Sequence, residues 1–278
     1  METQHSDPSI MLDSRSCELR GLIVRALIGG NRGHLGSSMS LVEILRVLFD
    51  SYLQYKPHEP KWPGRDRFIL SKGHGCLALY ALLADKGFFS HEALDEFCHS
   101  SGILGGHPEA NKIPGVEAST GALGHGLPIG VGMALAGRIR QQQYRVVIVT
   151  GDGEINEGSN WEAAMSAANN KLDSLSVFVD YNKLQSYGST KEVCDLEPLA
   201  EKWRSFGFSV REVDGHNVKA LKSCIKALPF EPNKPNVVIC HTVKGKGFDF
   251  AEGQAIWHHK SRFSSEDIER MHAALDRN

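Results

Sequence analysis

The chain lacks a long apolar run, paired cysteines and an excess of charge of one sign. No stretch approaches the roughly 18 apolar residues of a membrane span, and the polar start METQHSDPSIMLDSRS does not resemble a signal peptide. The 31 basic and 33 acidic residues give a net charge of -2, which disfavours nucleic acid and membranes as partners. Six cysteines without a C-x-x-C pair favour a reducing cytoplasm over a zinc site or a disulfide framework.

Short β-branched runs alternate with longer helical patterns along the chain. The alternation predicts one α/β domain over residues 1–278, in which a mostly parallel sheet carries helices on both faces and residues 1–13 are flexible. The predicted strands are 67–71, 144–150, 175–181, 208–213 and 236–243. The predicted helices lie near 14–29, 40–50, 76–86, 91–99, 126–142, 158–170, 196–206, 217–227 and 265–275. Two long glycine-rich loops, 101–126 and 244–260, are interpreted as site loops.

The stretch VIVTGDGEINEG carries the clearest chemical signal. An apolar strand that ends at Thr150 delivers Asp152 to the carboxyl edge of the sheet, where open α/β folds bind ligands. Glycine backbone and the free N–H groups of a helix that starts near Glu157 suit phosphate oxygens. Because a carboxylate would repel phosphate unless a cation lay between them, Asp152 predicts Mg²⁺.

Asn182 follows the next predicted strand, LSVFVDY. That spacing fits one right-handed βαβ unit, and neighbouring strands lie about 4.8 Å apart, so Asp152 and Asn182 can reach one ion. The carbonyl of Leu184 could supply a third ligand. Either motif alone is more common as a plain turn, but their joint position at two strand ends favours a site. A dinucleotide site fits less well, because no third glycine follows Gly153 in register.

Five of the 13 histidines follow a glycine directly: His34, His74, His107, His125 and His216. Composition alone predicts about 1.3 such pairs. The excess indicates imidazoles placed in glycine-shaped loops, where they suit proton transfer near neutral pH. The histidine of the turn DGHN is interpreted as structural, and no role is assigned to His99 or His259.

These segments resemble the thiamin diphosphate enzymes, and among them the transketolases. The stretch from GDGEINEG to VDYN matches the family's cofactor-and-magnesium motif. Other matching segments stand in transketolase order between about residues 14 and 260: GGNRGHLGSSMS, LSKGHGCLALY, GGHPE and STGALGHGLPIGVGMA. The resemblance implies the thiamin diphosphate-binding fold, known as the PP domain, with thiamin diphosphate and Mg²⁺, or Ca²⁺ or Mn²⁺ in its place. It also implies transfer of a two-carbon ketol unit from a ketose, or its phosphate, to an aldose.

Carried over position by position, the resemblance implies a set of cofactor ligands. The metal would be held by Asp152, Asn182 and the Leu184 carbonyl. The diphosphate would be contacted by His74 and Gly153, and the two rings by Gly121 and Leu123. The full implied cofactor-binding set is His74, Gly121, Leu123, Asp152, Gly153, Glu157, Asn182, Leu184 and His258.

The resemblance also implies a catalytic set, which consists of His34, His74, His107, Glu157 and His258. Three of these histidines, His34, His107 and His258, match residues that line the donor-sugar channel and hydrogen-bond to its hydroxyls and developing oxyanion. Glu157 and Glu162 match acids that face the partner at the cofactor site.

Three features depart from the family pattern, and one of them is that larger members have a different sequence around His258, whose match rests on the short context WHHK. His125 stands where many transketolases carry Gln. Ser186 replaces an apolar residue that larger members often place beneath the thiazolium ring. Contacts to the donor sugar and to the thiazolium are therefore expected to differ from those of the larger members at these two positions.

Full transketolases continue with a pyrimidine-binding domain, which holds the glutamate that activates the cofactor, and a C-terminal domain. The resemblance therefore implies that this chain is the diphosphate-binding subunit of a split transketolase, paired in an α₂β₂ assembly with a second chain that carries those domains. One alternative is the α subunit of a 2-oxo acid dehydrogenase, which the placed histidines and GGHPE disfavour. Another is a non-catalytic regulatory homologue, which the intact ligands disfavour.

Overall fold

A five-stranded parallel sheet forms the centre of the computed structural model, which describes residues 12–277. The strands are β1 Arg67–Leu70, β2 Val146–Gly151, β3 Leu175–Tyr181, β4 Ser209–Asp214 and β5 Asn236–His241. They lie in the order β1-β2-β3-β5-β4, and all four pairings are parallel. The predicted α/β class and parallel sheet are confirmed.

The helices cover both faces of this sheet. They are α1 Ser14–Gly30, α2 Leu35–Met39, α3 Val42–Ser51, α4 Cys76–Asp85, α5 Gly126–Ile139, α6 Gly158–Asn169, α7 Thr190–Cys194, α8 Leu199–Ser205, α9 Val218–Lys226 and α10 Ser265–Arg277. Four 3₁₀ turns span Gly73–Gly75, His91–Glu96, Gly153–Asn156 and Ala255–Trp257. No helix within residues 12–277 has both the length and the apolar character needed to cross a membrane.

Two predicted helices differ from the structure. The helix predicted near 40–50 is α3, which begins at Val42, and a separate short helix, α2, ends just before it at Met39 and was not predicted. The segment 91–99 contains only the 3₁₀ turn His91–Glu96, because Cys98 takes a positive φ of 59° that a helix cannot continue through. Helix α7 was not predicted, and a capping box between Ser189 and Glu192 begins it.

Apolar side chains pack on both faces of each central strand. Along β2, Val147 and Val149 face the core beneath α1, α3 and α4, whereas Val146 and Ile148 face the core beneath α5, α6 and α8. Strands buried on both faces read as continuous apolar runs rather than as alternating ones. This is why the strand segments were recognisable in the sequence.

The start of the described chain belongs to the fold. Residues 1–11 of the segment predicted to be flexible lie outside the described residues. Leu12 is buried, and the Asp13 side chain caps α1 by accepting a hydrogen bond from the Ser16 N–H at 2.9 Å.

Strands β2 and β3 end side by side, and this determines where the site forms. Their register pairs Gly151 with Asp180, so the segments after both strands leave the same carboxyl edge. Asp152 and Asn182 therefore emerge next to each other, as their positions in the sequence predicted.

The close packing of α5 on β2 predicts a substitution effect. A Cβ on Gly130 would lie 2.5 Å from Ile148 Cδ1 and 2.9 Å from its Cγ1. Gly130→Ala should therefore lower the free energy of unfolding in urea by about 1–3 kcal/mol through overpacking. Gly132→Ala, on the exposed side of the same helix with nothing within 4 Å, is the control and should gain up to about 1 kcal/mol. Equal effects of the two substitutions would contradict this packing.

Candidate active site at the carboxyl edge of the sheet

Asp152 is a buried carboxylate whose contacts are all to backbone N–H groups. Its Oδ1 accepts a hydrogen bond from Gly153 N at 2.7 Å, and its Oδ2 accepts one from Lys183 N at 2.5 Å. The side chain forms no ion pair within the described part of the chain, although the residue is only 3% exposed. Burial, and then the neighbouring Asp180, raise the pKa of Asp152 to about 6. A buried carboxylate that has no counter-charge is stabilised in its ionised form by a bound cation.

The other two predicted metal ligands lie in the turn that follows β3. Asn182 Oδ1 accepts a hydrogen bond from Leu184 N at 3.1 Å, and the N–H of Lys183 links this turn to Asp152. No group of three His, Cys, Asp or Glu side chains converges on a metal position in residues 12–277. A cation beside Asp152 would therefore take amide and carbonyl oxygens, which suit a hard ion such as Mg²⁺.

A buried ion pair next to this turn was not predicted. Asp180 is fully buried, and its Oδ2 accepts hydrogen bonds from Lys72 Nζ and from Ser40 Oγ, while its Oδ1 accepts one from Thr242 Oγ1. Burial alone would raise the pKa of Asp180. The Lys72 charge and the hydrogen bonds that Asp180 accepts nevertheless hold the pKa of Asp180 below the usual value of an aspartate. Asp180 and Asp152 are neighbouring carboxylates. Of the two, Asp180 is the one whose charge is balanced by a cation.

Lys244 is a second buried cation at the site. Its Nζ donates to the Leu184 carbonyl at 3.0 Å, and its side chain passes over Gly36, where a Cβ would lie 3.1 Å from Lys244 Cγ. Burial, and then the neighbouring Lys72, lower the pKa of Lys244 to about 8. Ser37 Oγ is buried without a hydrogen-bond partner in the described part of the chain. Two cations and an unpartnered hydroxyl form a suitable environment for phosphate oxygens.

Five histidines form a cluster beside these cations. The ring centroid of His34 lies 5.5 Å from that of His74, 6.5 Å from His107, 5.4 Å from His258 and 4.6 Å from His259. The structure thus brings together all four histidines of the predicted catalytic set. His259, which had no predicted role, joins them because Gly33 pairs with Lys260 in an antiparallel bridge.

The four predicted catalytic histidines of the cluster are held in their neutral form. Burial lowers the pKa of His34 to about 3 and that of His258 to about 4, and it also lowers the pKa values of His74 and His107. Neighbouring histidines and lysines add to the effect at three of these residues. At neutral pH each of the four imidazoles therefore offers one N–H donor and one acceptor nitrogen.

Ser186 contacts a predicted catalytic residue. Its Oγ lies 3.0 Å from His258 Nε2, while His258 Nδ1 is buried without a partner in the described part of the chain. Ser186 thus orients one imidazole of the cluster.

The loop 120–125 closes one side of the cluster. Gly121 has a φ of 136°, and a Cβ there would lie 2.9 Å from His107 Cδ2, so the position requires glycine. The Leu123 carbonyl accepts a hydrogen bond from His125 Nδ1 at 3.0 Å. Glu154, which the sequence did not single out, accepts hydrogen bonds from the N–H groups of Gly124 and Gly151 at 3.0 and 3.1 Å. This carboxylate ties the loop to the end of β2.

Some predicted residues lie outside the cluster. Glu157 and Glu162 are exposed at the start of α6, on a surface that also exposes Met165 and, on α5, Ile129. His216 is buried against Glu43, away from the other glycine-linked histidines.

The chain is similar to known transketolases. Residues 14–278 match the family model described as transketolase, thiamine diphosphate binding domain. The chain is 45% identical over 229 residues to one of the subunits of apulose-4-phosphate transketolase from Actinobacillus succinogenes, over 82% of each chain. It is 41% identical over 253 residues to 6-deoxy-6-sulfo-D-fructose transketolase subunit SqwG from a Clostridium species, over 91% of this chain and 92% of the relative. The solved transketolase from Leishmania mexicana matches with a TM-score of 0.88 and 29% identity over 96% of this chain, which spans 42% of that longer chain.

The neutral histidine cluster predicts how stability depends on pH. The unfolded chain takes up a proton at His34 near its ordinary pKa of 6.5, whereas the folded chain does so only near 3. The unfolded state therefore binds more protons below pH 6.5, and stability is lost as the pH falls from 7 to 5. His34→Gln should remove up to about 2 kcal/mol of that loss, measured by urea unfolding at both pH values. The exposed His58→Gln is the control and should keep the wild-type pH dependence; the same dependence in both variants would contradict the burial of His34.

Proposed function

Because this chain belongs to the transketolase family, we propose that it is the diphosphate-binding subunit of a two-chain transketolase. The relatives that share its length are named as subunits of transketolases, so the chain acts as a transferase together with a second subunit. The observation that carries the proposal is the convergence of His34, His74, His107 and His258 beside the turn that joins Asp152 to Asn182.

Thiamin diphosphate is the cofactor that the family binds, and when bound it supplies the carbon nucleophile that lets a ketose be cleaved next to its carbonyl. We assign its diphosphate to the environment of Lys72, Lys244, His74, Gly153 and the unpartnered Ser37 hydroxyl. The Lys244 ammonium group and the Ser37 hydroxyl, which has no partner in the described part of the chain, can interact with the phosphate oxygens there, while the Lys72 ammonium group also pairs with Asp180.

We assign Mg²⁺ to Asp152, Asn182 and the Leu184 carbonyl. The support is that Asp152 is buried without an ion pair in residues 12–277 and that the two other oxygens lie in the adjoining turn. Lys244 Nζ donates to the same Leu184 carbonyl, so its ammonium group lies next to the position assigned to the cation.

The neutral imidazoles suit the recognition of a polyhydroxylated substrate. We propose that His34, His107 and His258 hydrogen-bond to the hydroxyl groups and the reacting oxygen of the donor sugar. Since Ser186 occupies His258 Nε2, the unpartnered Nδ1 of His258 is the nitrogen left for a ligand. A neutral imidazole can both donate a hydrogen bond to an oxygen and take up a proton from a hydroxyl group.

The partner is proposed to carry the pyrimidine-binding and C-terminal domains and to form an α₂β₂ assembly with this chain. The exposed surface of α5 and α6 suits that contact, because it combines apolar Ile129 and Met165 with the predicted partner-facing acids Glu157 and Glu162. Gly121 and Leu123 would contact the cofactor rings between the two chains. A cytoplasmic location stays a prediction.

Small anionic ketoses are the proposed donors. The two relatives described above are named for apulose 4-phosphate and for 6-deoxy-6-sulfo-D-fructose, and each of these names denotes a sugar with an anionic group. Ketoses that carry a phosphate or sulfo group are therefore the first substrates to test.

The two-chain proposal predicts that activity depends on the partner. The purified chain should bind thiamin diphosphate weakly and transfer no ketol unit from xylulose 5-phosphate to an aldose acceptor. The complex with the partner chain should do so in the presence of Mg²⁺, as followed by product formation. Substantial transfer by the chain alone would contradict the split enzyme, and turnover of pyruvate instead of the ketose would favour a 2-oxo acid dehydrogenase.

The metal assignment predicts the effect of a single isosteric substitution. Asp152→Asn in the two-chain complex should weaken Mg²⁺-dependent binding of thiamin diphosphate by at least about tenfold, because an amide carries no charge for the cation. Calorimetric titration of the complex with thiamin diphosphate, once in the presence of Mg²⁺ and once in the presence of EDTA, measures this effect. Asp195→Asn, at an exposed position after α7, should leave the affinity unchanged. Wild-type affinity in Asp152→Asn would show that the cation binds elsewhere.

A further inference from the structure

A buried network of one ion pair and one imidazole lies behind the proposed cofactor site. Arg20 and Glu43 are each 1% exposed and His216 is 3% exposed. Arg20 donates to both carboxylate oxygens of Glu43 at 2.6 and 3.1 Å, and His216 Nδ1 lies 2.8 Å from Glu43 Oε2. Burying charges is costly, and apolar side chains often stabilise a core equally well. The network therefore calls for an explanation beyond stability.

The network holds the backbone on both sides of Lys244. On one side, His216 Nε2 accepts a hydrogen bond from the Val243 N–H at 2.9 Å. On the other, Arg20 Nε donates to the Lys246 carbonyl at 3.0 Å. The backbone is thereby held directly before the lysine and two residues after it, by groups that belong to α1 and to the turn after β4.

Glu43 determines which nitrogen of His216 carries the proton. Because the Val243 N–H donates to Nε2, that nitrogen must be unprotonated, so the ring's proton lies on Nδ1 and is donated to Glu43. A carboxylate at this position thus selects the tautomer that can hold Val243. An amide in its place would present an N–H₂ group to one of the two donors, Arg20 or His216.

The position of Lys244 Nζ depends on this segment of backbone. The side chain is buried, passes over Gly36 and reaches the Leu184 carbonyl at 3.0 Å. The adjoining Gly245 N–H also donates to the Gly36 carbonyl at 3.0 Å, which fixes the segment against α2. A shift of Val243 or Lys246 would therefore move the ammonium group away from the phosphate environment.

We propose that Arg20, Glu43 and His216 are positioning residues that hold Lys244 at the diphosphate end of the cofactor site. The inference rests on the proposed function, since it assumes that the cofactor's diphosphate lies beside Lys244. The three residues touch no ligand themselves. They act through the backbone of residues 243–246.

A double-mutant cycle in the two-chain complex tests this inference. The variants are Glu43→Gln, Lys244→Ala and the two combined, and the measurement is calorimetric affinity for thiamin diphosphate with Mg²⁺. Glu43→Gln should weaken binding about tenfold when Lys244 is present, the value of roughly one well-placed charged hydrogen bond. In the Lys244→Ala background the same change should alter affinity less than about twofold, because the group that it positions is gone.

Controls separate positioning from general destabilisation. Val24→Ala, a buried apolar change on α1, should lower the unfolding midpoint while leaving the affinity unchanged. Should Glu43→Gln fail to fold, His216→Leu replaces it under the same criterion. Equal weakening in both Lys244 backgrounds, or no weakening, would overturn the inference. Failure of the wild-type complex to bind thiamin diphosphate would instead overturn the proposed function.

Discussion

The site depends on two carboxylates that are buried at the ends of adjacent strands. A cation balances the negative charge of one of them but not that of the other. Asp180 is paired with Lys72 and receives several hydrogen bonds, whereas Asp152 receives only backbone N–H groups. The two charges raise each other's cost of ionisation, and the ion pair with Lys72 relieves only that of Asp180. Asp152 is thus left as the group whose charge a divalent cation would balance. The parallel register of β2 and β3 makes this inequality possible, because it places both carboxylates at one edge.

The same low-polarity environment explains the state of the histidines. Burial, and then the neighbouring imidazoles and lysines, lower the pKa values of His34, His74 and His258, so these rings remain neutral at physiological pH. Positive charge is then concentrated on the lysines near Asp152, and uncharged donors and acceptors lie farther along the site. A diphosphate and the hydroxyl groups of a sugar require these two kinds of surface, one beside the other.

Much of the fold and the core of the site could be predicted from the sequence, because those features are local. Apolar runs marked the strands, and the spacing of Asp152 and Asn182 followed from one crossover unit. Other contacts could not be predicted. Lysines are usually solvent-exposed, and the burial of Lys72 and Lys244 depends on partners at Asp180 and Leu184 that are distant along the chain.

Residues with no local signal are those whose roles depend on tertiary contacts. His259 joins the cluster only through the bridge between Gly33 and Lys260, and the hydrogen bond of Ser186 to His258 spans two separate loops. The buried pair of Glu43 and His216 is of the same kind, since the turn DGHN alone resembles any structural turn. Because groups from α1 and from the turn after β4 fix the backbone around Lys244, the proposed phosphate environment is formed by the chain's own core. The proposed partner surface of α5 and α6 would then not also have to shape the diphosphate end of the site.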